Sequence, residues 1–398
     1  MLNKKITDLA EYASKTISKK AKEMGDVCAL SFGEPYFGPP ESAKSEISKN
    51  LTYDAYIETL KRYEDPRGSL ELRQEISRWY LDNYGISVCA ETEVLVTHGG
   101  VEAITLSVLC TTSVNDKVLV SDPSYMLYSR NITVLERAVQ SLSRVPSVHE
   151  YQDALHSMTG EYTDTHLMII NSPENPSGYV LSEEDWSAVA DFAETNGLWV
   201  LHDEVYDSMA FERTHLPAIT NGKLRPKTIL INSFSKKFGL PGLRIGWMVG
   251  PTALIDQAAK LHDYMYLGVG ILNEQSAIAV LKSNNRQWLL DNCQEIRDRA
   301  NIALTTLTEA LGFNWCRSPL GAMFLFPEIS GLYERLPGKY KQHGDSKGEA
   351  VANYLLMEKR VATVPGNVYG ENSANYIRLV LCTPRDEFDL AMKRLSTC

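Results

Sequence analysis

Short runs of aliphatic and β-branched residues alternate with longer helix-periodic stretches through the middle of the chain. The runs predict buried strands, and they lie at residues 94–97, 117–121, 167–171, 198–202, 228–232 and 244–249. Helical spacing of apolar residues between the runs, as at 101–109 and 183–196, predicts connecting helices. Continuous apolar strands separated by helices are typical of an α/β fold, a mostly parallel sheet covered by helices on both faces. Ligands of such sheets bind at the carboxyl ends of the strands, so we expect the functional residues there.

The pattern changes near residue 290. A long charged helix is predicted at 286–311, followed by short segments and a terminal helix at 385–395. This sequence of elements predicts a second, smaller α+β domain after the large one.

The beginning of the chain is basic and helix-periodic over residues 1–25, which predicts an amphipathic helix. Residues 27–40 are rich in turn formers and predict a connector. We therefore expect an N-terminal helix and connector joining the small domain, a large ligand-binding domain and a small C-terminal domain, at 1–47, 48–289 and 290–398 respectively.

Composition narrows the class of protein. The 398 residues are 44% hydrophobic and 23% charged, as in an ordinary soluble globular protein. We expect neither a membrane span, since no apolar run approaches about 20 residues, nor a signal peptide. The net charge of −10 and the absence of a polybasic stretch argue against nucleic acid as a partner. A few convergent cations could still bind an anionic ligand.

Cysteines are scattered and never form a C-x-x-C pair, which argues against a disulfide framework and against a metal site. The number of cysteines is odd, and the reducing cytoplasm is the compartment that best fits such unpaired cysteines. We expect small, buried, apolar roles for all seven, which are Cys28, Cys89, Cys110, Cys293, Cys316, Cys382 and Cys398.

A lysine-rich string directly follows the predicted strand at 228–232 and runs Ser233-Phe-Ser-Lys-Lys-Phe-Gly-Leu-Pro-Gly-Leu-Arg-Ile-Gly246. The amine of one of its lysines, Lys236 or Lys237, can condense with an aldehyde. The hydroxyls of Ser233 and Ser235 and the fork of Arg244 can hold phosphate oxygens. Ser-x-Ser-Lys alone is typical of a solvated loop, but the full string suits a phosphate-bearing aldehyde.

An acidic residue, Asp203, follows the predicted strand at 198–202, where a carboxylate is costly unless it is paired. Asp203 could bind a protonated pyridine nitrogen, which would keep such a ring an electron sink. Tyr206, three residues later, could donate to a phenolic oxygen of the ring. Taken alone, Asp203 is more typical of a helix cap or a metal ligand.

Two glycine-containing loops follow other strands. Asn171-Ser-Pro-Glu-Asn-Pro-Ser-Gly178 is ordinary turn chemistry on its own. In Val96-Thr-His-Gly-Gly-Val-Glu-Ala103 a strand passes through two glycines into a helix, whose first amides can bind an anion.

Together these strings resemble the class I/II aminotransferases, the pyridoxal-5′-phosphate (PLP) enzymes of fold type I grouped around aspartate aminotransferase. The resemblance runs from Gly33 to Arg378 in the family's order and approximate spacing. The family places its Schiff-base lysine eight residues before the phosphate arginine, which selects Lys236 with Arg244 over Lys237. The resemblance implies a PLP-dependent aminotransferase that moves the amino group of an L-amino acid to a 2-oxo acid.

The resemblance also implies the cofactor-binding residues. Asp203 would pair with the pyridine nitrogen, Tyr206 and Asn175 would donate to the phenolic oxygen, and Tyr125 would stack on the ring. The catalytic residues would be Lys236, Asp203 and Tyr206. The implied phosphate ligands are Gly100, Val101, Ser233, Ser235 and Arg244, with Tyr63 from a partner subunit.

A homodimer with shared active sites is therefore implied. The resemblance further implies that Arg378 binds the substrate α-carboxylate, with Asn175 and the backbone of Gly33 beside it. His98 and His202 adjoin these strings, and we assign them no role.

Two departures from the family pattern leave other chemistry open. Tyr36 stands where many relatives carry Asp, and residues 267–275 lack a common serine/threonine run. Related folds also catalyse lyase reactions, cyclisation of a guanidino amino acid, and oxidation of arginine. Aminotransferase-like transcription regulators are disfavoured, because only about thirty residues precede Gly33. An aromatic or apolar substrate pocket could be formed by Tyr36, Tyr125 and residues 264–266, or these residues could pack in the core or at a dimer interface. The sequence therefore does not identify the substrate.

Overall fold

A computed structural model describes residues 4–9, 11–49, 52–61, 63–144, 150–158, 162–342 and 344–397. The strands within these ranges are β1 (Cys28–Ala29), β2 (Val94–Thr97), β3 (Lys117–Asp122), β4 (Ala138–Ser143), β5 (Thr165–Asn171), β6 (Trp199–Asp203), β7 (Thr228–Ser233), β8 (Gly246–Val249), β9 (Phe324–Leu325), β10 (Val361–Ala362), β11 (Val364–Pro365) and β12 (Ile377–Val380). The α-helices are α1 (Lys4–Thr7), α2 (Ala13–Met24), α3 (Lys44–Lys49), α4 (Tyr53–Leu60), α5 (Leu70–Tyr84), α6 (Gly100–Thr111), α7 (Met126–Val134), α8 (Tyr151–Ser157), α9 (Glu183–Asn196), α10 (Phe234–Lys237), α11 (Thr252–Tyr266), α12 (Ile271–Lys282), α13 (Arg286–Leu311), α14 (Ser330–Arg335), α15 (Gly338–Lys341), α16 (Lys347–Lys359) and α17 (Arg385–Leu395).

The central sheet has the strand order β2-β8-β7-β6-β5-β3-β4. Strands β4, β3, β5, β6 and β7 pair in parallel, and β8 is antiparallel to both of its neighbours. Two apolar clusters lie on opposite sides of the strands and include buried residues of the flanking helices. Helices therefore cover both faces of the sheet. The predicted α/β fold with a mostly parallel sheet is confirmed.

All six predicted strands are present; β2 has the predicted ends, and the other five have shifted ends. Strand β8 begins at Gly246, two residues later than predicted, because Arg244 has a left-handed backbone (φ 52°) and ends a turn. Edge strand β4 was not predicted. Only Leu142 of its six residues is buried, so its sequence lacks the apolar run that marks the inner strands.

Strand register brings the functional loops to one edge of the sheet. Asn171 at the end of β5 lies opposite Asp203 at the end of β6. Ser233 ends the next strand, β7, and is paired with Gly246 of β8. The loops after β5, β6 and β7 therefore emerge side by side, as expected for parallel strands.

A second group of elements follows the large sheet. Strands β11, β12 and β9 form an antiparallel sheet, and β1 pairs in parallel with β10. Their core includes buried residues of α13, α16 and α17 together with Cys28 and Leu30 from the N-terminal connector. The domain limits at 47 and 289 stay a prediction.

The N-terminal helix prediction is wrong in detail. The described residues form two helices, α1 and α2, and residues 1–3 lie outside the described ranges. Tyr12 adopts an extended backbone before α2, and its hydroxyl contacts the Tyr125 hydroxyl at 2.9 Å. This tertiary contact accounts for the break in the predicted helix.

Two of the cysteine predictions are wrong. Cys28 and Cys382 are buried, whereas Cys89 and Cys316 are exposed because they lie in surface loops. Cys398 lies outside the described residues. Across the part of the chain described above, no helix is both long enough and apolar enough to span a bilayer.

Candidate functional site

A cavity of about 600 Å³ opens at the carboxyl ends of the central strands. Twelve of the residues predicted for cofactor or substrate line it, namely Gly33, Gly100, Val101, Tyr125, Asn175, Asp203, Tyr206, Ser233, Ser235, Lys236, Arg244 and Arg378. They come from seven separate segments of the chain, so the fold brings together what the sequence predicted.

Lys236 and Lys237 are neighbours with different surroundings. The Lys236 Nζ donates to the Gly33 carbonyl at 2.7 Å inside the cavity. Burial, together with the charge of Arg378, lowers the pKa of Lys236 to about 8. The Lys237 Nζ is fully buried and donates to Asp207 Oδ2 at 2.6 Å. Of these two lysines, only Lys236 therefore presents its amine to the cavity.

Asp203 ends strand β6 and is 4% exposed. Its Oδ2 accepts from the Tyr128 hydroxyl at 2.6 Å, and its Oδ1 accepts from the Val205 amide at 3.3 Å. Burial raises the pKa of Asp203 to about 6 despite these two donors. A buried carboxyl of this kind fits a cationic partner in the cavity.

Tyr128 was missed by sequence reasoning. It lies in the first turn of α7, three residues after the predicted Tyr125, and also lines the cavity. The three-residue spacing between Tyr125 and Tyr128 at the start of a helix is a sequence signal that both side chains lie on one side of the helix. The contact of Tyr128 with Asp203, however, depends on tertiary structure.

Tyr125 lies at the amino end of α7, where its hydroxyl meets that of Tyr12 at 2.9 Å. Burial raises the pKa of Tyr125 well above its usual value, so the hydroxyl stays protonated. Tyr12, Ser14 and Lys15 of the N-terminal segment also line the cavity and were not predicted.

The other end of the cavity gathers groups that bind anions. Helix α6 begins at Gly100 after Gly99, which has a positive φ of 75°. A Cβ at Gly99 would lie 2.7 Å from Arg244 Nη2, so the glycine lets the guanidinium approach the loop. The Ser233 and Ser235 hydroxyls lie 2.9 Å apart beside it. Amides, hydroxyls and a guanidinium thus converge.

Arg378 of β12 is 3% exposed. Its Nη1 donates to Asn175 Oδ1 at 3.1 Å, and its Nη2 donates to the Ser31 carbonyl at 2.8 Å. Its Nε has no hydrogen-bond partner in the described structure. A buried cation that forms no salt bridge with the described residues fits the carboxylate of a ligand.

Tyr206 and Asn175 lie next to each other in the cavity. A hydrogen bond from the Asn175 side chain lowers the pKa of Tyr206, but burial has the larger effect and raises this pKa well above its usual value. The phenol therefore stays a donor. The backbone N–H of Asn175 donates to Asn171 Oδ1 at 2.7 Å, which fixes the position of this residue.

Three predicted features lie outside this cavity. Tyr63 is 81% exposed and is absent from the lining of its own chain's cavity. Tyr36 packs against Arg299, whose guanidinium lies 4.4 Å from the ring. Residues 264–266 are on the surface, with Tyr264 87% exposed. Of the aromatic residues considered for a substrate pocket, only Tyr125 faces the cavity.

A cluster of His202, Glu204 and His215 lies beneath the site, with potential ligand atoms within 4.8 Å of one another. His202 Nδ1 accepts from the Ala218 amide and Nε2 donates to the Ser172 carbonyl. His202 therefore has no lone pair left for a metal ion, and the cluster is explained by protein hydrogen bonds.

Comparison with known proteins agrees with this geometry. The family described as "Aminotransferase class I and II" matches residues 25–395. The chain is 29% identical over 380 residues to an aspartate aminotransferase of Pyrococcus horikoshii, covering 95% of this chain and 92% of that one. It is 28% identical over 377 residues to an arginine–pyruvate transaminase of Pseudomonas aeruginosa, covering 94% and 90%. The structure of N-succinyldiaminopimelate aminotransferase from Mycobacterium tuberculosis superposes with a TM-score of 0.86 at 26% identity, over 100% of both chains.

Proposed function

This chain belongs to the aminotransferase class I and II family, and from that membership we propose that Lys236 is the residue on which its amino-group transfer depends. The protein is an enzyme of the transferase class. The observation that supports Lys236 is its position: it is the lysine of the pair whose amine faces the cavity, with a pKa lowered to about 8. We infer that the enzyme moves the amino group of an L-amino acid to a 2-oxo acid.

The cavity fits PLP. Gly99 leaves room for Arg244 beside the first amides of α6, which suits a phosphate. Asp203 would pair with the pyridine nitrogen, Tyr206 and Asn175 would hold the phenolic oxygen, and Tyr125 would stack on the ring. The phosphate would be held by Gly100, Val101, Ser233, Ser235 and Arg244.

Once bound, PLP supplies an electron sink for the bond electrons at the substrate Cα. Arg378 would bind the substrate carboxylate as a bidentate pair and so fix the orientation of Cα. The Lys236 amine, with a pKa near 8, is partly neutral at physiological pH and would take the Cα proton as general base. Asp203, held by Tyr128, would keep a proton at the ring nitrogen.

We also propose that the enzyme is a homodimer with shared active sites. Large apolar side chains are exposed on what we term the tyrosine face, which consists of Tyr53, Tyr56, Tyr63, Tyr264, Met265, Tyr266 and Leu267. The two parts of this face adjoin, because Gly268 approaches Pro66 and Asp65. Arg244 and Val101 at the phosphate end are also exposed, so a second copy would complete the site.

Absorbance of the purified, PLP-loaded protein tests the proposed reaction. Single amino acids would be added under air and under nitrogen, with oxo acid, ammonia and peroxide assayed in parallel. Anaerobic conversion of the cofactor to its amine form, reversed by a 2-oxo acid, is the expected result. Oxygen uptake or ammonia release without the amine form would instead indicate an oxidase, lyase or cyclase. Lys236→Met should abolish conversion of the cofactor to its amine form, and a fully active Lys236→Met variant would overturn the assignment.

A further inference from the structure

A buried carboxylate lies directly behind the loop 98–101, which we term the phosphate loop. Glu102 is 6% exposed and belongs to the first turn of α6. Its Oε2 accepts from the His98 amide at 2.6 Å, and its Oε1 accepts from His262 Nδ1 at 2.6 Å. His262 is fully buried on α11. None of the roles proposed above uses Glu102 or His262.

The charge of Glu102 presents a physical problem. A carboxylate in the first turn of the helix that receives a phosphate repels that phosphate, because both groups are anionic. A buried carboxylate is also costly unless hydrogen-bond donors surround it. The His262 ring and the His98 amide are those donors, so together they fix the carboxylate and offset its charge.

The same contacts fix the phosphate loop. The His98 amide is held by Glu102, while the His98 carbonyl accepts from Arg244 Nη2 at 3.4 Å. The His98 ring contacts the Gly268 carbonyl at 3.2 Å through Nε2. The two peptide units that flank His98 are thus each held by one of these hydrogen bonds, and the direction of the following amides depends on them.

We propose that His262 is a positioning residue for the cofactor phosphate. By donating to Glu102, it keeps the carboxylate on the His98 amide and reduces the repulsion that the phosphate meets. This inference rests on the proposed function, because it needs the phosphate of PLP at the phosphate loop. The proposed role concerns only the phosphate of the cofactor. His262 would contact neither the ring nor the aldehyde.

Equilibrium titration of the cofactor-free protein separates the phosphate from the rest of the ligand. PLP and pyridoxal, which has the same ring and aldehyde but no phosphate, would be titrated by absorbance. We expect His262→Leu to weaken PLP binding about tenfold and to change pyridoxal binding less than about twofold. His262→Asn, whose amide nitrogen can take the place of Nδ1, should restore PLP binding. His262→Gln, whose amide reaches towards Nε2, should not.

Equal weakening of PLP and pyridoxal by His262→Leu would mean general structural support and would overturn the inference, as would unchanged PLP binding. Should the leucine variant not fold, equal PLP affinities of the Asn and Gln variants would overturn it as well. If the wild-type protein bound pyridoxal and PLP equally, the phosphate site would be wrong. If it bound neither, the proposed function would fail and this inference with it.

Discussion

Lys236 and Lys237 show how two adjacent residues of one type take opposite roles. The Lys236 amine contacts a backbone carbonyl in the cavity, whereas Lys237 forms a fully buried ion pair with Asp207. Lys237→Met would leave the Asp207 carboxylate buried without its cation, and we expect the free energy of unfolding to fall by about 3–5 kcal/mol. Lys236→Met should change it by less than about 1 kcal/mol, because no ion pair is lost.

Chemical denaturation of the two cofactor-free variants, with covalent PLP capture by borohydride reduction, measures both effects. Lys236→Met should fold and fail to retain reduced cofactor. Lys237→Met, wherever it folds, should still retain it. Retention by Lys236→Met and loss by Lys237→Met would reverse the assignment of the two lysines.

The raised pKa of Asp203 should make the stability of the protein depend on pH. Burial raises the pKa of this carboxyl to about 6, against 3.8 for an accessible aspartate. The unfolded chain therefore loses this proton first, and the free energy of unfolding falls as the pH rises from below 3.8 to above 6. The cofactor-free Asp203→Asn variant lacks this penalty. It should be more stable than wild type by about 3 kcal/mol at pH 8 and by about half of that at pH 5.

Asp207→Asn is the matched control for the urea unfolding experiment at the two pH values. Burial is the largest single effect and opposes ionisation of Asp207, but the charge of Lys237 and the hydrogen bonds from Lys237 and Asn232 together contribute to a lowered pKa of this carboxyl. Asp207→Asn should therefore destabilise the protein at neutral pH, opposite in sign to Asp203→Asn. An Asp203→Asn variant less stable than wild type at pH 8 would show that the carboxylate is stabilised by its surroundings.

The sequence reveals residues that follow strands and hides those that meet only through the fold. Lys236 and Asp203 each follow an apolar run at the carboxyl end of a strand, so their place in the cavity could be predicted, whereas their proposed roles came from the family resemblance. Tyr128 contacts Asp203 across 75 residues, and Tyr12 contacts Tyr125 across 113. No local pattern specifies such contacts, so these partners could not be predicted.

Among the elements, the inner strands were predictable because both of their faces are buried and their sequences are continuously apolar. Edge strand β4 has mostly exposed residues and gave no such signal. The break between α1 and α2 was equally hidden, because the contact that accompanies it is made by Tyr12 with a distant helix.

The approach of β8 to the phosphate loop is a property of two elements. A Cβ at Gly246 would lie 2.7 Å from the Gly99 carbonyl carbon and 2.8 Å from the Gly100 nitrogen. Backbone atoms cannot yield as a flexible side chain does, so Gly246→Ala should push β8 and α6 apart. We expect a loss of about 1–3 kcal/mol in the free energy of unfolding, together with weaker PLP binding.

Gly250→Ala, just after the other end of β8, is the control for this experiment. Its added Cβ would meet the Thr228 carbonyl oxygen at 3.4 Å, close to ordinary contact. Denaturation and PLP titration of both variants would show whether the damage is confined to the phosphate end. Equal stability of the two alanine variants would contradict the close approach.

At the scale of the whole molecule, the proposed shared site predicts that one chain alone does not complete it. Tyr63 is 81% exposed and does not line its own cavity, while the phosphate end of that cavity is open to the surface. If the tyrosine face joins two copies, the Tyr63 hydroxyl of each chain reaches the phosphate of the other. The protein should then sediment at twice its chain mass of 44.6 kDa.

Subunit exchange distinguishes a shared site from a self-contained one. Lys236→Met lacks the amine, and Tyr63→Ala should bind PLP about tenfold more weakly, because a hydrogen bond to a charged group is lost. At limiting PLP each variant alone should be nearly inactive. In a mixed dimer, the chain with Lys236 intact receives Tyr63 from the Lys236→Met chain, so one complete site forms and activity returns. Exchange with Tyr53→Ala, an exposed residue of the same face, controls for general effects on the interface, since this variant should bind PLP normally by itself. Lack of recovery in a verified mixed dimer would show that Tyr63 does not serve the partner's site.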